Sequence, residues 1–295
     1  MNMKFSVIVP AYEAEATLPA LLDSLSTQSY QDFEVIVADD CSKDGTAEVA
    51  RSYDCKIIRL PENHGPAYCR NVGAKKARGE VLVFTDSDCC VDRHWLENIQ
   101  KHFFQNGTEA IMGRLMLRPS TFLGDSISAL GFPAGGAIGF DKIWKVDEKG
   151  FTDSLSSCNC AVKKDIFWKV GGFDESFPYP GGEDSFLAYN LRRLNCRIRY
   201  CPDVLVYHQA RDSLRDFFKW QFRRGESSFI FSTKVSNRKN FLSLRIWSTG
   251  NIIRYYFRNK KFPMVLFLLC TSLFLQFIGF LLAKHKRASY ASLNH

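Results

Sequence analysis

The sequence predicts an α/β fold, a mixed and mainly parallel sheet flanked by helices, with amphipathic or transmembrane helices at its C-terminal end. Three observations predict it. Short apolar and β-branched runs alternate with segments whose leucines recur at helical spacing, the order expected of β-α-β units with right-handed crossovers. Several of those runs are apolar on both faces, as strands inside a parallel sheet are. Acidic residues then stop them at their C-terminal ends, the edge at which open α/β sheets bind ligands.

Phe5 to Val9 reads as the first strand, and Leu18, Leu21, Leu22 and Leu25 after Thr17 mark a helix. Phe33 to Ala38 is a second buried strand ending at Asp39-Asp40, followed by a turn at Ser42 to Gly45 and a helix from Thr46. Lys56 to Leu60 is the third strand, and Pro66 stands in the first turn of a helix that runs to Gly79. The fourth strand, Val81 to Thr85, stops in Asp86-Ser87-Asp88. Beyond it come a helix with Trp95, Leu96, Ile99 and Phe103, a strand from Ala110 to Leu117, a helix opened by Glu183-Asp184, and a last strand from Tyr200 to His208. Residues 119–157 are irregular and rich in glycine, either a segment that covers substrate or a plain connection.

The net charge of +8 is unevenly spread. Residues 1–210 hold 23 basic and 28 acidic groups, whereas Arg211 to Lys261 holds 13 basic and 3 acidic ones. A nucleic-acid partner is therefore not expected, since the first 210 residues would repel phosphate. The basic segment mixes Phe217, Phe218, Trp220, Phe222, Phe229 and Phe231 with arginines, a composition suited to helices at lipid headgroup level. Phe262 to Ala283 carries no charge and is long enough to span a bilayer as a helix, with a buried core helix as the alternative. The expected organisation is a catalytic domain over 1–210, basic aromatic membrane-proximal helices over 211–261, a transmembrane helix over 262–283 and a basic tail over 284–295. With no secretory leader before the first strand, a single-pass protein of the inner membrane with a cytoplasmic catalytic domain is expected. The ten cysteines are read as reduced; Cys89-Cys90 and Cys158-x-Cys160 lack the second pair a zinc site needs.

The acids carry the chemistry. Side chains at i and i+2 of an extended segment share a face, a spacing that lets one carboxylate of Asp86 and Asp88 meet a divalent metal and the other a sugar hydroxyl or a metal-bound water, though Asp-x-Asp alone is a common pattern. Oxygen ligands favour Mg²⁺ or Mn²⁺, either of which neutralises a diphosphate. Each acid also has a structural reading: Asp40 as a turn former, Asp88 as a cap, Glu183 as a favourable charge at a helix N-terminus.

Taken in order, the blocks resemble the family 2 glycosyltransferases, inverting enzymes of the GT-A fold, over about residues 4–230. The resemblance rests on Ser6 to Glu13, on Val37 to Thr46, and on Asn63 to Gly73 leading to Thr85-Asp86-Ser87-Asp88. It continues in Val170 to Glu175, Gly182 to Leu187 and Pro202 to His208. It implies that Pro10, Ala11, Tyr12 and Glu13 line a nucleotide pocket with Asp40, that Asp39 accepts from the base, most often uracil, and that Arg70 adds a cation. Asp86 and Ser87 would face the ribose or donor sugar, Asp88 would hold the metal, and Asp184 would be the general base, supported by Glu183. His208 is either a further metal or diphosphate contact or a core histidine. Gln221-x-Arg223-Arg224-Gly225 loosely matches a phosphate- or acceptor-contacting basic segment. Two departures stand out: Cys41 and Asn195 occupy positions where relatives often have glycine.

The expected activity is metal-dependent, inverting hexosyl transfer from a nucleotide-diphospho-sugar to a hydroxyl of a membrane-presented glycan or lipid-linked acceptor. The alternatives are a non-catalytic membrane-associated protein of the same fold and a sugar nucleotidyltransferase. The latter needs a basic, glycine-rich N-terminal loop that Pro10 to Glu13 does not supply.

Overall fold

The structure is a computed structural model that describes residues 4–106, 108–236 and 238–293. The chain divides into two compact units. The first comprises Met1–Arg118, Lys145–Pro178 and Glu183–Gln209, and the second Pro119–Trp144, Tyr179–Gly182 and Ala210–His295.

The first unit is built on a nine-stranded mixed sheet. Its parallel half consists of β3 (Lys56–Arg59), β2 (Phe33–Asp39), β1 (Phe5–Ala11) and β4 (Val81–Thr85), side by side in that order. All five residues of β4 are buried, and Phe5 to Val9 of β1 likewise, which explains why both runs lack a polar face. Beyond β4 the sheet continues through β8 (Asn159–Lys163), β6 (Ala110–Leu117), β9 (Ile198–His208) and β5 (Cys89–Val91), with β7 (Phe151–Thr152) paired to β9. Strand β8 runs antiparallel to both β4 and β6, so β6 and its parallel neighbour β9 point the same way as β4. The C-terminal ends of β1, β2, β4 and β9 therefore share one edge.

Helices clothe the sheet. In α1 (Leu18–Ser26) the four leucines at helical spacing are the buried ones. Helix α2 (Thr46–Arg51) follows β2, and α3 (Pro66–Lys76) starts on Gly65, whose φ of 87° favours glycine. Helices α4 (Trp95–Asn106), α7 (Lys164–Lys169) and α8 (Glu183–Arg193) complete this unit. Asn195, just after α8, has a φ of 58°, the left-handed conformation that asparagine tolerates at a helix end. Cys41 has a φ of 64°, which explains why a glycine is the easier residue there.

The second unit gathers the first part of the irregular stretch, Pro119–Trp144, which holds α5 (Phe122–Ser128) and α6 (Phe140–Ile143), with α9 (Leu214–Lys234), α10 (Arg238–Tyr256) and α11 (Phe262–Leu293). One apolar cluster joins Ile127, Leu130, Ile138 and Ile143 to Phe217 of α9, Ile252 and Tyr256 of α10, and Val265 and Leu268 of α11. Within α11, Phe262–Arg287 is long and apolar enough, by length and composition, to cross a membrane, and 33% of its most apolar 18-residue window is buried.

Candidate active site

The sheet edge is assembled from four chain segments. At the ends of β1 and β2, register pairs Ala11 with Asp39, and the loops beyond are stitched together. The Glu13 amide donates to Ser42 Oγ (2.9 Å) and the Ala14 amide to Thr46 Oγ1 (2.8 Å). Glu13 adopts a φ of 49° in this turn. Tyr12 stays half exposed beside it, and the Glu13 carboxylate, with burial, pushes its hydroxyl above the ordinary tyrosine range. Asp39 is fully buried; Oδ1 accepts from the Ser42 amide (3.0 Å), while Oδ2 has no hydrogen-bond partner and faces Arg59 Nε at 3.5 Å. A buried carboxylate oxygen with spare acceptor capacity is what a donor N–H of a nucleobase requires.

Asp40 is placed differently. Its two carboxylate oxygens accept from the amides of His64 and Gly65, each at 2.8 Å, so it fixes the turn that leads into α3. That turn sets where Arg70 emerges four residues into the helix.

Arg70 is the hub. Nη2 donates to Asp86 Oδ1 (2.7 Å) and Nη1 to Glu183 Oε1 (3.1 Å), while the guanidinium lies over the Phe173 ring (5.4 Å). Burial works to lower its pKa, but the Asp86 and Glu183 carboxylates outweigh that and hold it well above the ordinary arginine value, with Asp184 contributing from slightly farther away. So Arg70, Asp86, Glu183 and Asp184, distant in sequence, form one charged cluster. Asp184 Oδ1 accepts from the Ser185 amide at 2.7 Å, at the first turn of α8.

Ser87 occupies the turn between β4 and β5, and that turn delivers Asp88 to the end of β9, because β5 pairs antiparallel with β9 and sets Cys89 opposite His208. His208 Nε2 lies 3.2 Å from Asp88 Oδ1. Its Nδ1 is 2.7 Å from the Gln209 carbonyl, which can only accept, so Nδ1 donates there and Nε2 is the ring nitrogen turned to the carboxylate. With the ring neutral, Nε2 and the Asp88 carboxylate would offer two ligand atoms to one cation. Neighbouring ligands of an octahedral ion with bonds of about 2.1 Å stand roughly 3.0 Å apart, so the pair fits Mg²⁺ or Mn²⁺. Cys89 Sγ completes a trio whose ligand atoms lie within 4.8 Å of one another. Burial and the Asp88 charge push that thiol far up, and a soft thiol suits neither ion. Cys158 and Cys160 are free, buried thiols, both also pushed up chiefly by burial.

Two side chains that support this edge were not singled out from sequence. Asn71 Nδ2 donates to the Phe173 carbonyl and Glu175 Oε1, both at 2.8 Å, and its Oδ1 accepts from the Phe173 amide (2.9 Å), pinning the glycine turn that carries Phe173 under Arg70. Asn159 is fully buried; it accepts from Trp95 Nε1 (2.9 Å) and donates to the carbonyls of Arg114 and Val204, closing the bulge where β6 and β9 change register. A lone asparagine in the apolar run Cys158 to Val162 was the available signal. Gln221, Arg223 and Arg224 lie in the second unit, where Gln221 binds α11 and the arginines lie over Tyr179 (4.2 Å) and Phe132 (4.0 Å).

Comparison with known proteins gives concordant findings. The model of the family described as "Glycosyl transferase family 2" matches residues 6–171. An uncharacterized glycosyltransferase of Haemophilus influenzae is 42% identical over 221 residues, 71% of this chain and 70% of that protein. Glycosyltransferase AglE of Haloferax volcanii is 25% identical over 257 residues, covering 82% and 79%. Among solved structures, the mannosyltransferase PcManGT from Pyrobaculum calidifontis, in complex with GDP-Man and Mn²⁺, shares the fold with a TM-score of 0.60 at 22% identity, over 99% of this chain and 81% of that one.

Proposed function

This chain belongs to glycosyl transferase family 2, and from that premise we propose that it transfers a hexose, with inversion, from a UDP-sugar to a hydroxyl of a membrane-presented glycan or lipid-linked acceptor. That it is a glycosyltransferase using a nucleotide sugar follows from the family; donor, acceptor and stereochemistry are the proposal. The observation that carries it is the Arg70 cluster: one buried cation gathers Asp86 and Glu183 beside Asp184, on the same sheet edge as Asp88 and His208.

The roles follow from position. Asp39 accepts from the base through its spare Oδ2, and Pro10, Ala11, Tyr12 and Glu13 border the same pocket. Asp86 and Ser87 meet the ribose or donor sugar. Asp88 and His208 are suited to hold Mg²⁺ or Mn²⁺, which when bound would neutralise charge on the diphosphate. Asp184 takes the proton of the acceptor hydroxyl as that oxygen bonds to the anomeric carbon; the bond from that carbon to the diphosphate oxygen breaks, and its electron pair leaves with the nucleotide. A single displacement inverts the centre. Glu183 is engaged with Arg70, so its part is to hold the start of α8, and with it Asp184, in place.

PcManGT was solved with Mn²⁺ and TarS of Staphylococcus aureus with UDP-GlcNAc, which supports a divalent ion and a nucleotide-sugar donor here. Residues 1–210 are read as the catalytic domain, 211–261 as membrane-proximal helices and 262–283 with the tail 284–295 as the membrane contact of an inner-membrane protein whose catalytic domain faces the cytoplasm. No observation favours a scaffold or a nucleotidyltransferase. The test is turnover of a panel of nucleotide sugars with and without Mn²⁺, with the product anomer assigned by NMR. Release of nucleoside diphosphate coupled to an inverted glycoside is expected; a retained anomer or a nucleoside monophosphate product would contradict the reading.

A further inference from the structure

We propose that α11 does not cross the bilayer but lies along one leaflet, with α9 above it as a polar roof. The inference rests on reading α11 as the membrane contact and concerns how that contact is made.

Helices α9 and α11 run side by side in the same direction. Phe217 shares a cluster with Val265 and Leu268, Gln221 accepts from Ser272 Oγ (2.8 Å) and Gln276 Nε2 (2.7 Å), and the rings of Phe229 and Phe280 meet at 5.4 Å. Two glycines allow this closeness: a Cβ on Gly225 would stand 2.2 Å from the Gln276 carbonyl oxygen, and one on Gly279 2.2 Å from that of Phe222. Contact so intimate means that wherever the middle of α11 goes, α9 goes too. Yet α9 carries Arg215, Asp216, Lys219, Arg223, Arg224, Glu226 and Lys234. Arg215, Asp216 and Lys219 are exposed, and carrying several such charges into hydrocarbon is strongly unfavourable even on insertion-based scales.

The start of α11 is equally unsuited to spanning. Val265 and Leu268 pack against Ala129, Leu130 and Ile138, which lie outside helices and strands. Irregular backbone at membrane depth is tolerated only where protein shields it from lipid, so a spanning α11 would have to carry the surrounding shell of this segment into the bilayer as well. Lys261 Nζ is tied to Asp125 Oδ2 (2.5 Å) at the same end.

What α11 offers is one long face. Val265, Leu268, Leu269, Ser272 and Gln276 are buried, whereas Leu266, Phe267, Leu273, Phe274, Phe277 and Leu281 are exposed, one stripe along the helix. Basic residues flank it, Arg258, Lys260 and Lys261 before and Lys284, Lys286 and Arg287 after. An apolar stripe with basic ends matches acyl chains bordered by anionic headgroups, and an in-plane helix buries such a face about 5–10 Å deep. The occupant of this face is thus the outer part of one anionic leaflet.

The test uses the full chain with a C-terminal epitope, in sealed inverted and right-side-out membrane vesicles treated with external protease. Epitope and catalytic unit are expected to be digested together in one orientation and protected together in the other. Digestion of one with protection of the other would establish a span and overturn the proposal. A chain that neither fractionates with membranes nor floats with phosphatidylglycerol–phosphatidylethanolamine vesicles would instead remove the membrane reading beneath it. The doubly substituted F274D/F277D chain, folded by circular dichroism, is expected to partition onto those vesicles at least tenfold less; unchanged partitioning would also overturn the proposal.

Discussion

Arg70 and Glu183, 113 residues apart in sequence, are hydrogen bonded at 3.1 Å with both side chains almost wholly buried. The second guanidinium arm reaches Asp86, so one cation binds the end of β4 to the start of α8. Without it, two carboxylates with Asp184 nearby would repel one another across the same space.

Removing that cation should therefore be costly. Arg70→Met removes the buried cation that pairs with Glu183, and urea denaturation should report a loss of about 3–5 kcal/mol. The double variant Arg70→Met with Glu183→Gln should recover a good part of that, a coupling read from the double-mutant cycle. A loss in the double variant equal to the sum of the losses in Arg70→Met and Glu183→Gln alone would mean that the two side chains do not act on each other.

Cys41 holds a left-handed conformation at φ 64° with a side chain that gains only a 3.4 Å contact to the Pro61 carbonyl. Relief of that strain, less the greater chain entropy of glycine, should make Cys41→Gly more stable by about 0.5–1 kcal/mol. Chemical denaturation with parallel slopes for the two proteins checks it.

Asp88 and His208 predict coupled losses. Asp88→Ala and His208→Ala should each weaken Mn²⁺-dependent UDP binding at least tenfold, about 1.4 kcal/mol, in titration calorimetry. Metal-free UDP binding should change far less, since Asp39 and the β1 loop are untouched.

Acid sensitivity should have an identifiable contribution from Glu97. Hydrogen bonds from His94, then Ser29 and Lys101, hold its carboxyl down at about 2, below the usual 4.5. A depressed folded-state value means stabilisation fully present above pH 4.5 and lost as pH falls toward 2. Glu97→Gln should flatten the fall of Tm over that window and leave its shape near neutrality unchanged.

How much of this was legible in the sequence depends on whether the signal was local. The parallel half of the sheet and α1 announced themselves because Val81 to Thr85 is buried on both faces and the leucines of α1 on one. Asn195, which stands where relatives often have glycine, does adopt the left-handed conformation that glycine favours. Pairing across distance left no local trace. Nothing in the short β5 says that it folds back on β9 and carries Asp88 to His208, and β8 is hidden in a run whose buried asparagine reads as polar. The part of Asp40 was half legible: its turn-forming chemistry was foreseen, but only coordinates reveal that both oxygens are spent on His64 and Gly65. Likewise the charge-free length of α11 was plain, whereas its partnership with the charged α9 required the two glycines to be seen in contact.

The central claim is that Asp184 removes the acceptor proton at a site that binds donor without it. Transfer and donor affinity measured side by side on purified Asp184→Asn decide it: the account predicts transfer reduced about 10²–10⁴-fold with donor affinity retained. Transfer at the wild-type rate would contradict it.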